Sequence, residues 1–162
     1  MTFEEIYQQL KQKFGDTILE LKPLPPGSFS NKFIEVLPEK IHSILKFLKE
    51  DPTLSFDNPL CISGVDYQDR FEVVYHLHSY QHLHKIEIKT SIKDRENPQI
   101  DSASDLWKGA NWLEREIYDM FGIKFKNHPD LRRILCPDDW EGYPLRKDYK
   151  HQEYWHDIKV GM

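Results

Sequence analysis

The chain has 162 residues, 39% of them hydrophobic and 30% charged, with a formal net charge of −5 at pH 7. That length suits one domain with a sizeable core, and the acidic balance argues against a nucleic-acid binder working through a basic surface. No apolar run approaches the roughly 18 residues of a membrane-spanning helix, and the opening residues lack the basic and apolar blocks of a secretory signal, so cytosolic chemistry is expected.

Thr2 and Glu5 have the spacing of a capping box, and Phe3, Ile6, Tyr7, Leu10 and Phe14 follow as a helical stripe up to Gly15. Residues 17–21 read as a short strand. Residues 22–31, with three prolines and a glycine, read as a loop. Residues 32–37 are rich in strand formers. Pro38 suits the first turn of a helix whose buried face is Ile41, Ile44, Leu45 and Leu48, closed by Asp51-Pro52.

Residues 60–92 read as a meander of about three strands, with turns near 68–70 and 79–81. Phe71, Val73, Tyr75 and Leu77 alternate on one face of the middle strand. Residues 94–98 break the pattern. Ser102 is placed to cap a helix through Asp105, Leu106 and Trp107 that runs or bends into the next. From Ala110 the period is again helical, with Leu113, Ile117, Met120 and Phe121 on one face and Gly122 as the terminator. The fold class expected is α+β: a mixed, mostly antiparallel sheet packed with helices. Residues 1–121 form the domain and residues 122–162 an extended C-terminal arm. Beyond Gly122 the periodicity disappears while aromatic, arginine and aspartate residues stay dense. Such a segment has no apolar face for a core of its own, yet it is too aromatic for a disordered tail. It reads as an arm laid on a partner, with Arg132, Arg133, Trp140, Tyr143 and Arg146 as anchors, the residue types that dominate interfaces.

Several constellations admit chemistry. His76, His78, His82 and His84 flank a predicted hairpin and offer imidazoles to zinc or copper, or are exposed strand positions with no carboxylate or cysteine to complete a ligand set. Glu114, Glu116 and Asp119 invite a proton-relay reading, or form a salt-bridged helix docked on a partner. In the second case Arg115 pairs with Asp119 four residues on, and Glu116 is the carboxylate expected to be partly buried. Pro129 restricts His128 to extended backbone, and either His128 or Asp130 is placed to cap the following turn. Arg132-Arg133 fits an anion or an acidic protein patch. Asp138-Asp139 fits a divalent ion or a turn. Cys61 and Cys136 are the two cysteines. They are far apart, with no CxxC pair, whereas an iron–sulfur cluster takes about four thiolates.

The run GluArgGluIleTyrAspMetPheGlyIle, with HisProAspLeuArgArgIleLeu and GluGlyTyrProLeuArgLysAspTyr following in order, resembles the C-terminal signature of one family. That family is the thirty-kilodalton subunit of respiratory complex I (NADH:quinone oxidoreductase). The same signature occurs in chloroplast-type, hydrogenase-linked and ferredoxin-linked relatives of that complex. The resemblance implies a non-catalytic scaffold in the peripheral arm, on the cytoplasmic side of a bacterial inner membrane. It implies no cofactor in this chain, inside an enzyme that uses NADH, FMN, iron–sulfur clusters and quinone. The implied partners are two other complex I subunits, the one that forms the quinone site and the neighbouring one that bears a cluster. The implied contacts are Glu114, Arg115, Glu116, Asp119, His128, Arg132, Arg133, Trp140, Tyr143, Arg146, Lys147 and Asp148.

Overall fold

The computed structural model describes residues 1–160. Helix α1 (Phe3–Phe14) starts at Thr2, whose side chain and that of Glu5 make both bonds of the capping box. Strands β1 (Ile18–Pro23) and β2 (Lys32–Val36) follow, then a single 3-10 turn (Pro38–Lys40) that leads into α2 (Ile41–Glu50). The meander is β3 (Asn58–Asp66), β4 (Phe71–Ser79) and β5 (His84–Ile92). These five strands form one sheet in the order β1-β2-β5-β4-β3. Every neighbouring pair is antiparallel except β2 with β5. The chain reaches that parallel register because α2 and the two long strands after it lie between β2 and β5, ample length for a crossover.

The alternation read in β4 holds. Phe71, Val73, Tyr75 and Leu77 are all fully buried, in one core with Ile6 and Leu10 of α1 and Ile41, Ile44, Leu45 and Leu48 of α2. Burying each such side chain is worth about 1.5–3 kcal/mol. The opposite face of the sheet carries polar rungs instead, such as His76 opposite Glu87 at 3.3 Å.

Three features differ from the sequence reading. Residues 102–109 are not helical but form turns. Ser102 Oγ accepts from Ser104 N–H (3.0 Å) and donates to Glu114 (2.6 Å), so it belongs to a turn and to a buried carboxylate rather than to a helix start. Second, β6 (Gln99–Asp101) and β7 (Lys124–Lys126) pair in parallel, with α3 (Ala110–Phe121) as the crossover between them. Two three-residue strands are too short to show a period of two. Third, the core continues past Gly122, since Ile123 and Phe125 are buried. Near the C-terminus β8 (Tyr154–Trp155) and β9 (Ile158–Lys159) close a two-residue hairpin. Both of its central residues, His156 and Asp157, have positive φ (46° and 61°), as a type I′ turn requires.

Candidate functional site

Helix α3 is the base on which the C-terminal segment is built. Gly64 of β3 lets it sit directly on the sheet: a Cβ there would lie 2.8 Å from the Phe121 ring. Asp119, fully buried, takes three backbone N–H groups on Oδ2: Ile134 (3.0 Å), Leu135 (2.7 Å) and Cys136 (2.8 Å). Its Oδ1 receives Arg133 Nη1 at 2.6 Å. Burial alone would raise this carboxyl; the backbone N–H of Cys136, the Arg133 guanidinium and the other two amides outweigh it and hold the group below the usual carboxylate range.

The arginines close the same knot. Arg133 Nη2 donates to the carbonyls of Trp140 (2.8 Å) and Gly142 (2.9 Å). Arg115 donates to the carbonyls of Arg132 (3.2 Å) and Arg133 (3.0 Å), and the Arg115–Asp119 pair read from helical spacing is not formed. Asp119 is instead matched by Arg133, because the segment folds back over the helix. Arg146 Nε donates to the Phe121 carbonyl at the C-terminus of α3 (2.6 Å), with its guanidinium 5.0 Å from the Phe71 ring and 4.9 Å from the Tyr143 ring. Tyr143 covers Gly122, where a Cβ would meet its ring at 2.5 Å. Gly122 is left-handed (φ 74°), so glycine serves there both as terminator and as floor for the ring.

A second clamp sits at the end of β3. Asp66 binds Arg95 through both oxygens (2.6 and 3.1 Å) and accepts the Lys147 N–H at 2.9 Å. Burial pushes this carboxyl up, but Arg95 and the N–H groups of Lys147 and Gln68 prevail and its pKa falls to about 2. Arg95 also reaches Asp148 at 3.4 Å.

Glu114 behaves oppositely. It is fully buried, accepting from Ser102 Oγ and Ala103 N–H, both at 2.6 Å. Desolvation outweighs those two donors and raises its pKa to about 7. The glutamate buried on this helix is therefore Glu114, whereas Glu116 is exposed. His128 Nδ1 accepts from Asp130 N–H (3.0 Å), which makes its Nε2 the donor to the Asn111 carbonyl (3.1 Å).

The sequence-picked residues therefore divide. Glu114, Arg115, Asp119, His128, Arg133 and Arg146 make bonds inside the chain. Trp140 is half-buried, its Nε1 donating to Tyr149 Oη at 3.1 Å. Glu116, Arg132, Lys147 and Asp148 are exposed, although Arg132 pairs with Asp130 at 3.0 Å and Asp148 with Arg95. The sequence reading missed three exposed apolar residues, Trp112 (68%), Leu135 (64%) and Leu145 (56%). The available signal was Trp112, which lies off the stripe of Leu113 and Ile117 and shares a face with Glu116 and Asp119 by helical spacing.

The hairpin histidines do not converge. His76 faces Glu87, His82 Nε2 meets the Pro52 carbonyl (2.8 Å) and His84 Nε2 the Leu54 carbonyl (2.7 Å). Among the described residues no group of three His, Cys, Asp or Glu side chains is placed to hold a metal.

Fold and site together define a class: an α+β protein whose C-terminal segment is tied to its last long helix by the buried Asp119 carboxylate and its ion pair with Arg133. Residues 34–155 match the family described as the 30 kDa subunit of the respiratory-chain NADH dehydrogenase, and the chain belongs to that family. It is 48% identical over 159 residues to the C subunit of NADH-quinone oxidoreductase from Chloroherpeton thalassium, covering 97% of this chain and 65% of that one. With the corresponding protein of Chlorobium phaeobacteroides it shares 44% over 158 residues, 95% of this chain and 92% of the other. Its fold matches a chain of the membrane-bound sulfane sulfur reductase, an archaeal respiratory membrane complex. The TM-score is 0.71 at 28% identity, over 91% of this chain and 85% of that one.

Proposed function

We propose that this chain is the cofactor-free scaffold of a proton-translocating NADH:quinone oxidoreductase, docked on the quinone-site subunit and the neighbouring cluster-bearing subunit at the cytoplasmic side of the membrane. Electrons pass from NADH through FMN and iron–sulfur centres to quinone in its neighbours. Its two cysteines are free and fall short of the about four thiolates a cluster takes. Among the described residues no helix is long and apolar enough to cross a membrane, so attachment comes through the assembled complex.

The observation that carries this reading is the pairing of a fixed segment with exposed apolar side chains. Asp119, Arg133 and Arg146 fix the segment from inside, while Trp112, Leu135 and Leu145, each more than half exposed, lie on the same helix and segment as the exposed residues Glu116, Arg132, Lys147 and Asp148. Tryptophan is enriched at the centres of protein contacts, where one typically contributes about 2 kcal/mol or more. Trp112→Ala with Leu135→Ala should leave the fold unchanged and lower the amount of assembled complex. NADH:quinone activity should fall in proportion, with turnover per assembled complex constant. Full assembly with slowed turnover would place these residues in the chemistry and overturn the scaffold role.

A further inference from the structure

The five-stranded sheet has two open edges, and they are built differently. At one edge β1 carries Glu20, Lys22 and the terminal Pro23, with its register interrupted between Ile18 and Glu20. Charges, proline and a bulge are the devices that stop an edge from pairing with another chain. At the other edge β3 spans nine residues and its only neighbour is β4. Pro59 and a bulge before Cys61 guard its first two residues. From Leu60 to Val65 the sequence is LeuCysIleSerGlyVal, with no charge and no proline.

The register shows which backbone groups that edge presents. Tyr67 N–H donates to the Arg70 carbonyl (2.9 Å), making these two a hydrogen-bonded pair at the hairpin turn. Bonded and non-bonded pairs alternate along an antiparallel ladder. Val65, Ser63 and Cys61 therefore bond to β4, and the N–H and C=O groups of Ile62 and Gly64 point away from it. No backbone or side-chain group among the described residues bonds to them, and of the two Ile62 is only 3% exposed. Gly64 has no side chain to expose, yet it is partly accessible, so the accessible surface is the backbone itself. Leu60 beside it is 49% exposed.

We infer that β3 is a strand-acceptor edge: an extended, uncharged segment of a neighbouring subunit adds to it as a sixth strand, bonding to the backbones of Ile62 and Gly64. The chemistry of the occupant follows from the edge. Main-chain groups supply the affinity, and alternate side chains select the segment. On the open face those side chains meet Cys61, Ser63 and Val65, which are small and uncharged, so a β-branched or apolar segment fits and a charged one would lose water without a partner. An uncovered window of this composition is an aggregation hazard, which a chain assembled with others resolves by strand addition. The inference rests on the scaffold reading above for the identity of the occupant as another subunit.

The native complex containing this chain tests it by deuterium exchange read at single amides. The expected result is that Gly64, the accessible one of the two, exchanges at least about 100-fold slower than an unstructured chain, as slowly as Ser63 and Val65 on either side of it, with Ile62 protected as well. Solvent-rate exchange at Gly64 beside protected Ser63 and Val65 overturns the proposal while leaving the scaffold role intact. If the chain does not co-purify with a complex, the scaffold role itself fails and takes the proposal with it. A Cys136→Ser variant leaves Cys61 as the single thiol for a benzophenone maleimide. Cross-linking in the complex should capture one linear segment of a different subunit. Capture of a second copy of this chain, or of residues from a partner's helix, overturns the inference.

Discussion

Asp119→Ala removes the group on which the C-terminal segment converges. The carboxylate is fully buried and accepts three amides and one guanidinium. Its loss leaves Arg133, 13% exposed, as a charge without its counter-ion, and three N–H donors without acceptors. Removing one partner of a buried pair costs about 3–5 kcal/mol. Hydrogen bonds to a charged acceptor contribute about 1.5–3 kcal/mol each, but the four share one anchor and relax together, so their values do not add. About 3–5 kcal/mol is therefore the whole expectation. It falls on the segment first, because the sheet core of Phe71, Tyr75 and Ile88 makes no use of Asp119.

Two measurements separate local from global loss. The amides of Ile134, Leu135 and Cys136 should exchange much faster in Asp119→Ala, while those of β4 and β5 keep their protection. Limited proteolysis should cut between residues 130 and 145 in the variant and spare the intact protein. Unchanged exchange at Ile134–Cys136 would mean that the carboxylate does not hold the segment, and the account of the site would fail.

Glu114→Gln tests the other carboxylate. An acid whose pKa is raised on folding makes the folded state bind more protons, so stability falls as pH rises from the ordinary carboxylate value of about 4.5 to about 7. The span corresponds to about 3 kcal/mol. The glutamine variant should lack that slope in denaturant midpoints across this window; an undiminished slope would assign it elsewhere. Asp66 has the opposite sign: its lowered pKa contributes stability present above the unfolded value of 3.8 and lost as pH falls towards about 2. That contribution is about 2 kcal/mol, and Asp66→Asn should flatten the acid limb of the stability curve between those values. Gly122→Ala places a Cβ in a left-handed residue against the Tyr143 ring. It should cost about 1–2 kcal/mol for the left-handed backbone alone and more for the displaced ring, read as a loss of thermal midpoint that Tyr143→Ala partly restores.

The first half of the fold was legible because its elements are long enough to carry a period. The stripes of α1 and α2, the capping box at Thr2 and the alternation of β4 are each complete within one element or at its end. The turn region after Ser102 was not legible, because a serine before an apolar pair is also what a turn needs. What decided it was Glu114, twelve residues away, taking the Ser102 hydroxyl. The roles of Arg133 and Asp119 were hidden for the same reason: helical spacing offers Arg115 as the partner of Asp119, and only the return of the chain over α3 brings Arg133 closer. Composition did reveal that the segment beyond Gly122 needs something to pack on, and the sequence reading laid it on a partner, whereas Arg133 and Arg146 bond to α3 of this same chain.

On the proposed scaffold role the surface is both this chain's and a neighbour's. A free arm that ordered only on binding would lose about 1–2 kcal/mol of backbone entropy for each residue it fixed, reducing the affinity its contacts could supply. Here Asp119, Arg133, Arg146 and Asp66 fix the backbone from residue 133 to residue 147 before any partner arrives. Arg133 and Arg146, which the sequence reading gives to the interface, thus bond inside this chain, one layer beneath the surface proposed for it. Their guanidiniums tie down the segment that carries Leu135 and Leu145, and in the proposed role those side chains, with Trp112, meet the neighbour. Substituting Arg133 would therefore weaken assembly by releasing the segment, whereas substituting Trp112 would weaken it with every internal bond intact.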